Sequence, residues 1–181
     1  MKLSELMEGL AVMSVYGDMD IEIRGITKDS RSVSEGYIFF STDKSEKYIE
    51  DAARKGAVAV VADRKPSEAF GCSIVVADPK ETLGVIASRF YGLPSEKLKM
   101  IGITGTNGKT TTSYLVESIL KSDGRKTGLI GTILYRYNNR TLKAENTTPG
   151  SVELHSLLND MHEAGTEYVV MEVSSHALDQ R

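Results

Sequence analysis

Seven residues, Gly105-Thr106-Asn107-Gly108-Lys109-Thr110-Thr111, constrain this chain more than any others. They follow an apolar run, Met100–Ile103, that reads as a strand. They precede a helix-period segment whose expected inward positions are Leu115, Ile119 and Leu120. A glycine-rich turn between a strand and a helix is where a phosphate-binding loop belongs. Its glycines let backbone N–H groups converge on phosphate oxygens, and the helix N-terminus adds partial positive charge. In that setting Lys109 neutralises the β- and γ-phosphates of ATP and the Thr110 hydroxyl reaches Mg²⁺. All seven residues are therefore expected to bind ATP. The strict spacing would place its first glycine at position 103, which is Ile103; the glycines here are Gly102 and Gly105, so the loop is a variant. The competing reading is a plain glycine-rich turn with an incidental Lys-Thr pair, and the flanking strand and helix speak against it.

Around this loop, short apolar runs alternate with helix-period segments, the pattern of an α/β fold. Upstream, Tyr37–Phe40 reads as a strand, and Ala57–Ala62 and Ile74–Ala77 as buried, β-branched-rich strands. Tyr48–Lys55 reads as a helix closed by Gly56. Pro79 opens another, with Leu83, Ile86, Ala87 and Phe90 at core-facing spacing. Gly92–Lys97 pairs Gly with Pro and reads as a linker. The expectation is a small N-terminal α/β domain over residues 1–97. Residues 98–181 would then be the first part of a mostly parallel central ATPase domain of the phosphate-loop type. Beyond the loop come a strand from Thr127 to Ile133, a helix carrying Leu154, Leu157, Leu158 and Met161, and a strand over Tyr168–Val173.

Composition removes other classes of function. With 22 Lys+Arg against 25 Asp+Glu among 181 residues, the net charge is −3 and the basic positions are scattered, so nucleic acid is not an expected partner. No run approaches the roughly 20 apolar residues of a membrane span. Glu5 and Glu8 interrupt what a signal peptide would need, so a cytoplasmic location and no membrane insertion are expected. Cys72 is the single cysteine and reads as a loop or strand-edge thiol with nothing nearby to activate it. His155 and His162 lack metal-ligand spacing and read as surface residues.

Glu172 closes an apolar strand, which aims its carboxylate at the crevice where open α/β sheets bind ligands and suits it to hold Mg²⁺. Asn146-Thr147-Thr148-Pro149 offers neutral donors and acceptors on a stiffened turn, although alone it reads as a loop and helix cap. Asp29-Ser30-Arg31 alone likewise reads as a surface turn. In combination these segments say more. The Gly-Thr-Asn-Gly-Lys-Thr-Thr loop resembles that of the Mur ligase superfamily, whose ATP-dependent members build the peptide of bacterial peptidoglycan. Folylpolyglutamate and cyanophycin synthetases have similar loops. Asp29-Ser30-Arg31, Asn146-Thr147-Thr148-Pro149, the Lys126–Ile133 strand and Met171-Glu172-Val173-Ser174-Ser175-His176-Ala177-Leu178 resemble the branch that adds the third residue.

That resemblance implies a reaction and a set of roles. ATP would phosphorylate the D-glutamyl carboxylate of UDP-MurNAc-L-Ala-D-Glu, and the amine of a free amino acid would attack the acyl phosphate. Lys109 and Glu172 would be catalytic, Thr110 and Glu172 would hold Mg²⁺, and Ser30, Asn146, Thr147, Thr148, Ser174, Gln180 and Arg181 would contact the UDP-dipeptide. Three features depart from the family. The segment Ser41–Glu46 is shorter than the usual loop on the uridine side, Gln180 and Arg181 are adjacent where the pattern is Gln-x-Arg, and the family continues well beyond this length. The chain therefore reads as an N-terminal portion, expected not to complete the ligation alone. Two other readings stay open: a module that binds or hydrolyses ATP without ligating, and a non-catalytic UDP-sugar-peptide-binding fragment.

Overall fold

A computed structural model describes residues 1–42, 46–67 and 70–180. The chain divides into two compact units, Met1–Phe90 and Tyr91–Arg181.

In the first unit, α1 (Leu3–Met7), β1 (Ser14–Gly17) and β2 (Gly25–Thr27) lead into a 3₁₀ turn at Ser30–Ser32. Then come β3 (Tyr37–Phe40), α2 (Glu46–Arg54), β4 (Ala59–Ala62), β5 (Cys72–Val75) and α3 (Pro79–Phe90). The sheet order is β1-β5-β4-β3-β2; β2 to β5 run parallel, and β1 joins β5 antiparallel. Every residue of β4 and β5 is buried, as expected where helices cover a parallel sheet. Phe39, Ile49, Ala52 and Val60 form one core cluster, and Leu83, Ile86 and Ala87 are buried from α3. Phe39 is 1% exposed, and burying a side chain of that kind contributes about 1.5–3 kcal/mol. Gly56 ends α2 at φ +91°, a conformation that glycine adopts without strain. The strands over Ala57–Ala62 and Ile74–Ala77 are trimmed or shifted by two residues, and β1 and β2 are additional to the sequence reading. Residues 43–45, within the shortened Ser41–Glu46 loop, lie outside the described residues.

The second unit begins with α4 (Pro94–Lys97), so the segment read as a linker is partly helical, and Leu98 behind it is a core residue. Next are β6 (Lys99–Ile103), α5 (Lys109–Ser122), β7 (Thr127–Ile130), β8 (Leu134–Tyr137), β9 (Arg140–Lys143), α6 (Ser151–Glu163), β10 (Tyr168–Glu172) and α7 (Ser175–Gln180). The sheet order is β6-β10-β7-β8-β9, a parallel trio extended by an antiparallel hairpin. That hairpin was not read from the sequence. Its two-residue Asn138-Asn139 turn, at φ +40° and +63°, is the local signal. Leu157, Leu158 and Met161 of α6 pack with Ile130, Tyr135, Tyr137 and Val169. Met161 lies so close to β7 that a Cβ at Gly128 would meet its sulfur at 2.7 Å.

Three expectations are corrected here. Leu115 and Ile119 are 59% and 68% exposed, not inward. The buried positions of α5 are Ser113 and Glu117, because the small serine allows close approach and the glutamate finds cations to satisfy it. Cys72 is fully buried on an interior strand, with its thiol 3.7 Å from the Met19 sulfur and its pKa pushed up by burial. His155 is half-buried, its Nδ1 has no hydrogen-bond partner among the described residues, and burial lowers its pKa. Among the described residues no helix is long and apolar enough to cross a membrane.

Candidate nucleotide and metal site

The parallel strands β6, β7 and β10 end on one side of the second sheet, and the loop of residues 104–108 leaves β6 there. Gly105 at φ +144° and Gly108 at φ +79° carry the backbone through its turn. Gly108 is the N-cap of α5 and, having no side chain, leaves the first-turn N–H groups without a side-chain cap. A helix of fourteen residues thus opens with free donors and a positive dipole end, which suits an anion. The Lys109 ammonium donates to the Gly105 carbonyl at 2.7 Å, folded across the loop from which it would meet phosphate. Thr106, Asn107, Gly108, Lys109, Thr110 and Thr111 line one cleft of about 320 Å³ with Thr132, Thr147, Glu172 and Ser174.

Glu172 is 1% exposed, and its carboxylate is held by neutral donors. The Thr110 hydroxyl donates to Oε2 at 2.9 Å, the Thr132 hydroxyl to Oε2 at 3.1 Å, and the Thr132 backbone N–H to Oε1 at 3.1 Å. A Cβ at Gly131 would overlap Oε1, so the carboxylate fits against bare backbone. Because Thr110 points its proton at the carboxylate, its lone pairs remain to be offered to a cation. Hard oxygen donors of this kind suit Mg²⁺. Among the described residues no group of three or more His, Cys, Asp or Glu side chains comes together. A site with one carboxylate and one hydroxyl fits an ion that takes its other ligands from phosphates and water.

The Asn146–Pro149 turn is tied to the same place. The Thr147 hydroxyl lies 3.1 Å from that of Thr132. Thr148 donates to the Glu172 carbonyl at 2.9 Å and accepts from the Ser174 N–H at 3.1 Å, so its hydroxyl latches the turn to the end of β10. The Asn146 carbonyl accepts from the Tyr135 hydroxyl at 2.7 Å. Ser174 lines the cleft, and its hydroxyl accepts the Ala177 N–H at 3.1 Å, capping α7. Thr132 is the residue that sequence reasoning missed; its signal was a Gly-Thr pair directly after an apolar strand.

Ser30 belongs to the first unit. It is buried, its hydroxyl reaches Asp51 at 3.5 Å, and its carbonyl accepts from Lys55 at 2.9 Å. Asp29 caps the turn through the Arg31 N–H at 2.9 Å and pairs with the Arg31 guanidinium, which draws the Asp29 pKa down to about 2. Gln180 ends α7, nothing is described of its side chain, and Arg181 lies outside the described residues.

A larger cavity of about 410 Å³ lies at the opposite end of the second sheet, beside Lys121, Arg125, Lys126, Arg136 and Thr127. Lys121 and Arg136 pair with Glu117, and Arg125 with Asp123, so most of its positive charge is matched from within. The smaller cleft is the one that gathers the glycine-rich loop, Thr132, Thr147 and Glu172.

Comparison with known proteins gives a consistent result. The Mur ligase middle domain matches residues 103–181. UDP-N-acetylmuramoyl-L-alanyl-D-glutamate–2,6-diaminopimelate ligase of Clostridium tetani is 44% identical over 98% of this chain, and the enzyme of that name from Aquifex aeolicus is 46% identical over 87%. The chain spans 38% and 33% of the length of these two relatives. A solved UDP-N-acetylmuramoyl-L-alanyl-D-glutamate–2,6-diaminopimelate ligase superposes with a TM-score of 0.82 at 25% identity, covering 99% of this chain and 37% of that one. A MurF ligase from Thermotoga maritima in complex with ADP gives a TM-score of 0.57 at 26% identity, covering 86% of this chain and 33% of that one.

Proposed function

Since the chain belongs to the Mur ligase family, we propose that it is the nucleotide- and UDP-substrate-holding part of an ATP-dependent ligase of peptidoglycan precursor synthesis. Its reaction joins an amino acid to UDP-MurNAc-L-Ala-D-Glu in the cytoplasm. The names of the relatives point to diaminopimelate as the amino acid. The first unit, Met1–Phe90, would hold the uridine side through Ser30, and the second, Tyr91–Arg181, would hold ATP and the dipeptide.

The observation that carries this reading is the pairing of a helix N-terminus without a side-chain cap with a buried carboxylate that, among the described residues, is held by neutral hydrogen-bond donors alone. Phosphates belong on the first, and a cation belongs between them and the second. A bound Mg²⁺ supplies charge neutralisation on the phosphates. The chain's own part is orientation. The loop N–H groups and Lys109 fix the triphosphate, Thr110 and Glu172 fix the cation's side of it, and the Asn146–Thr148 turn with Ser174 offers polar groups to the dipeptide. By the family resemblance, Gln180 and Arg181 would contact the UDP-dipeptide as well. The D-glutamyl carboxylate must be phosphorylated because a free carboxylate is a poor acyl donor. Holding it in line with the γ-phosphate supplies much of the rate, since positioning is worth up to roughly 7–11 kcal/mol.

Calorimetric titration of ATP with Mg²⁺ into the chain and its Lys109→Ala variant tests the reading. The variant should bind ATP about 100-fold more weakly and adenosine equally. Equal ATP affinities would refute the assignment. A second titration with UDP-MurNAc-L-Ala-D-Glu separates this reading from a plain ATP-binding module, which would show no affinity for it.

A further inference from the structure

Thr132 has been given no role of its own so far, yet it supplies two of the donors that hold the Glu172 carboxylate. Its N–H donates to Oε1 and its hydroxyl lies 3.1 Å from Oε2. The same hydroxyl lies 3.1 Å from that of Thr147. One hydroxyl has one proton, and an ionised carboxylate can only accept. The direction of the chain is therefore fixed: Thr147 donates to Thr132, and Thr132 donates to Glu172. With its proton committed inward, Thr147 presents lone pairs to a ligand.

We propose that Thr132 is the positioning residue that sets the Glu172 carboxylate for the cation and, through Thr147, links the Asn146–Pro149 turn to the cation site. This rests on the reading of Thr110 and Glu172 as the protein's ligands to Mg²⁺. A glutamate at a strand end has three rotatable bonds, and bare backbone at Gly131 cannot hold it in place. Two donors from a single residue, one on each oxygen, fix both the position and the plane of the carboxylate. Groups that orient a metal ligand in this way change metal affinity by roughly 10- to 100-fold when removed.

The test uses the 181-residue chain and ATP as the probe, titrated with Mg²⁺ and separately with EDTA. Thr132→Val keeps the branched shape and the backbone N–H and removes only the hydroxyl; Thr132→Ser restores the hydroxyl. Thr132→Val should weaken ATP binding about tenfold in Mg²⁺ and leave it unchanged in EDTA, with Thr132→Ser within about twofold of the wild type. Thr147→Val, acting one bond further out, should cost about two- to threefold in Mg²⁺ alone. Equal affinity of wild type and Thr132→Val in Mg²⁺ overturns the proposal while leaving the nucleotide site standing. Equal weakening with and without Mg²⁺ also overturns it, since Thr132 would then shape the loop rather than the cation site. A wild type indifferent to Mg²⁺ overturns the proposal together with the cation-site reading beneath it.

Discussion

Among the described residues of the second unit two carboxylates are buried, Glu117 at 2% exposure and Glu172 at 1%, and they are satisfied in different ways. Glu117 sits on the inward face of α5, where Lys121 reaches it at 2.8 Å and Arg136 of β8 pairs with it. Arg136 also lies over the Tyr114 ring. Burial alone would push the Glu117 pKa up, but the hydrogen bonds from Arg136 and Lys121 outweigh it and hold the pKa below the usual carboxylate range. Glu172 has hydroxyls and a backbone N–H, and among the described residues no ion pair with it is formed. A charge neutralised from within ties helix to hairpin. A charge given dipoles alone would, on the proposed reading, be prepared for a cation that arrives with the ligand. On that reading, the contrast separates a structural acid, Glu117, from a functional one, Glu172.

The largest expected effect comes from Glu172→Gln. Hydroxyls can rotate to accept from the new amide, so the fold should hold to within about 1 kcal/mol. The Mg²⁺-dependent gain in ATP affinity should fall by about 100-fold, more than the roughly tenfold expected for Thr132→Val. Calorimetry with and without Mg²⁺ reads this, and an unfolded variant would erase the distinction from Glu117.

Glu117→Gln should do the reverse. Breaking a buried ion pair costs roughly 3–5 kcal/mol, but Arg136 and Lys121 keep contact with water, so about 1–3 kcal/mol of stability is expected to go, with Mg²⁺-dependent ATP binding unchanged. The pH dependence follows from the same pair. A carboxyl whose folded pKa lies below its ordinary 4.5 contributes stability that is complete above pH 4.5 and lost as pH falls through the folded value. Denaturant melts of wild type and Glu117→Gln should therefore converge on acidification. Parallel curves would break the contrast.

What the sequence made legible follows from how local each signal is. The loop at 105–111 and the strand-end Glu172 are set by a few consecutive residues, and the structure gathers residues 106–111 and Glu172 in one cleft. The inward face of α5 is not local. Leu115 and Ile119 have the right spacing and residue type for a core, yet the sheet side of the helix takes Ser113 and Glu117, because an arginine nineteen residues away in sequence can satisfy the latter. Thr132 escaped notice for a similar reason: its partner is forty residues downstream. Asp29-Ser30-Arg31 shows the converse, a local motif whose polar groups largely satisfy one another within their own turn.

The smallest effect concerns a buried group with neither kind of partner. His155 Nδ1 is unsatisfied among the described residues, and burial lowers the ring's pKa below 6.5, so the unfolded chain binds protons more readily. Stability should fall as pH drops below about 6.5, by under about 1 kcal/mol, and His155→Leu should remove that slope while leaving the melt at pH 8 nearly unchanged. Thermal melts between pH 5 and 8 would show it.

The difference between the two acids is tested most directly by locating a bound cation. Mn²⁺ substitutes for Mg²⁺ and scatters anomalously, so crystals of the chain grown with Mn²⁺ and a non-hydrolysable ATP analogue would mark its position. The expected result is a peak about 2.1 Å from a Glu172 carboxylate oxygen and from the Thr110 hydroxyl, with Thr132 still bonded to the carboxylate and no peak at Glu117. A nucleotide bound with its Mn²⁺ elsewhere, and Glu172 still closed on Thr110 and Thr132, would contradict it.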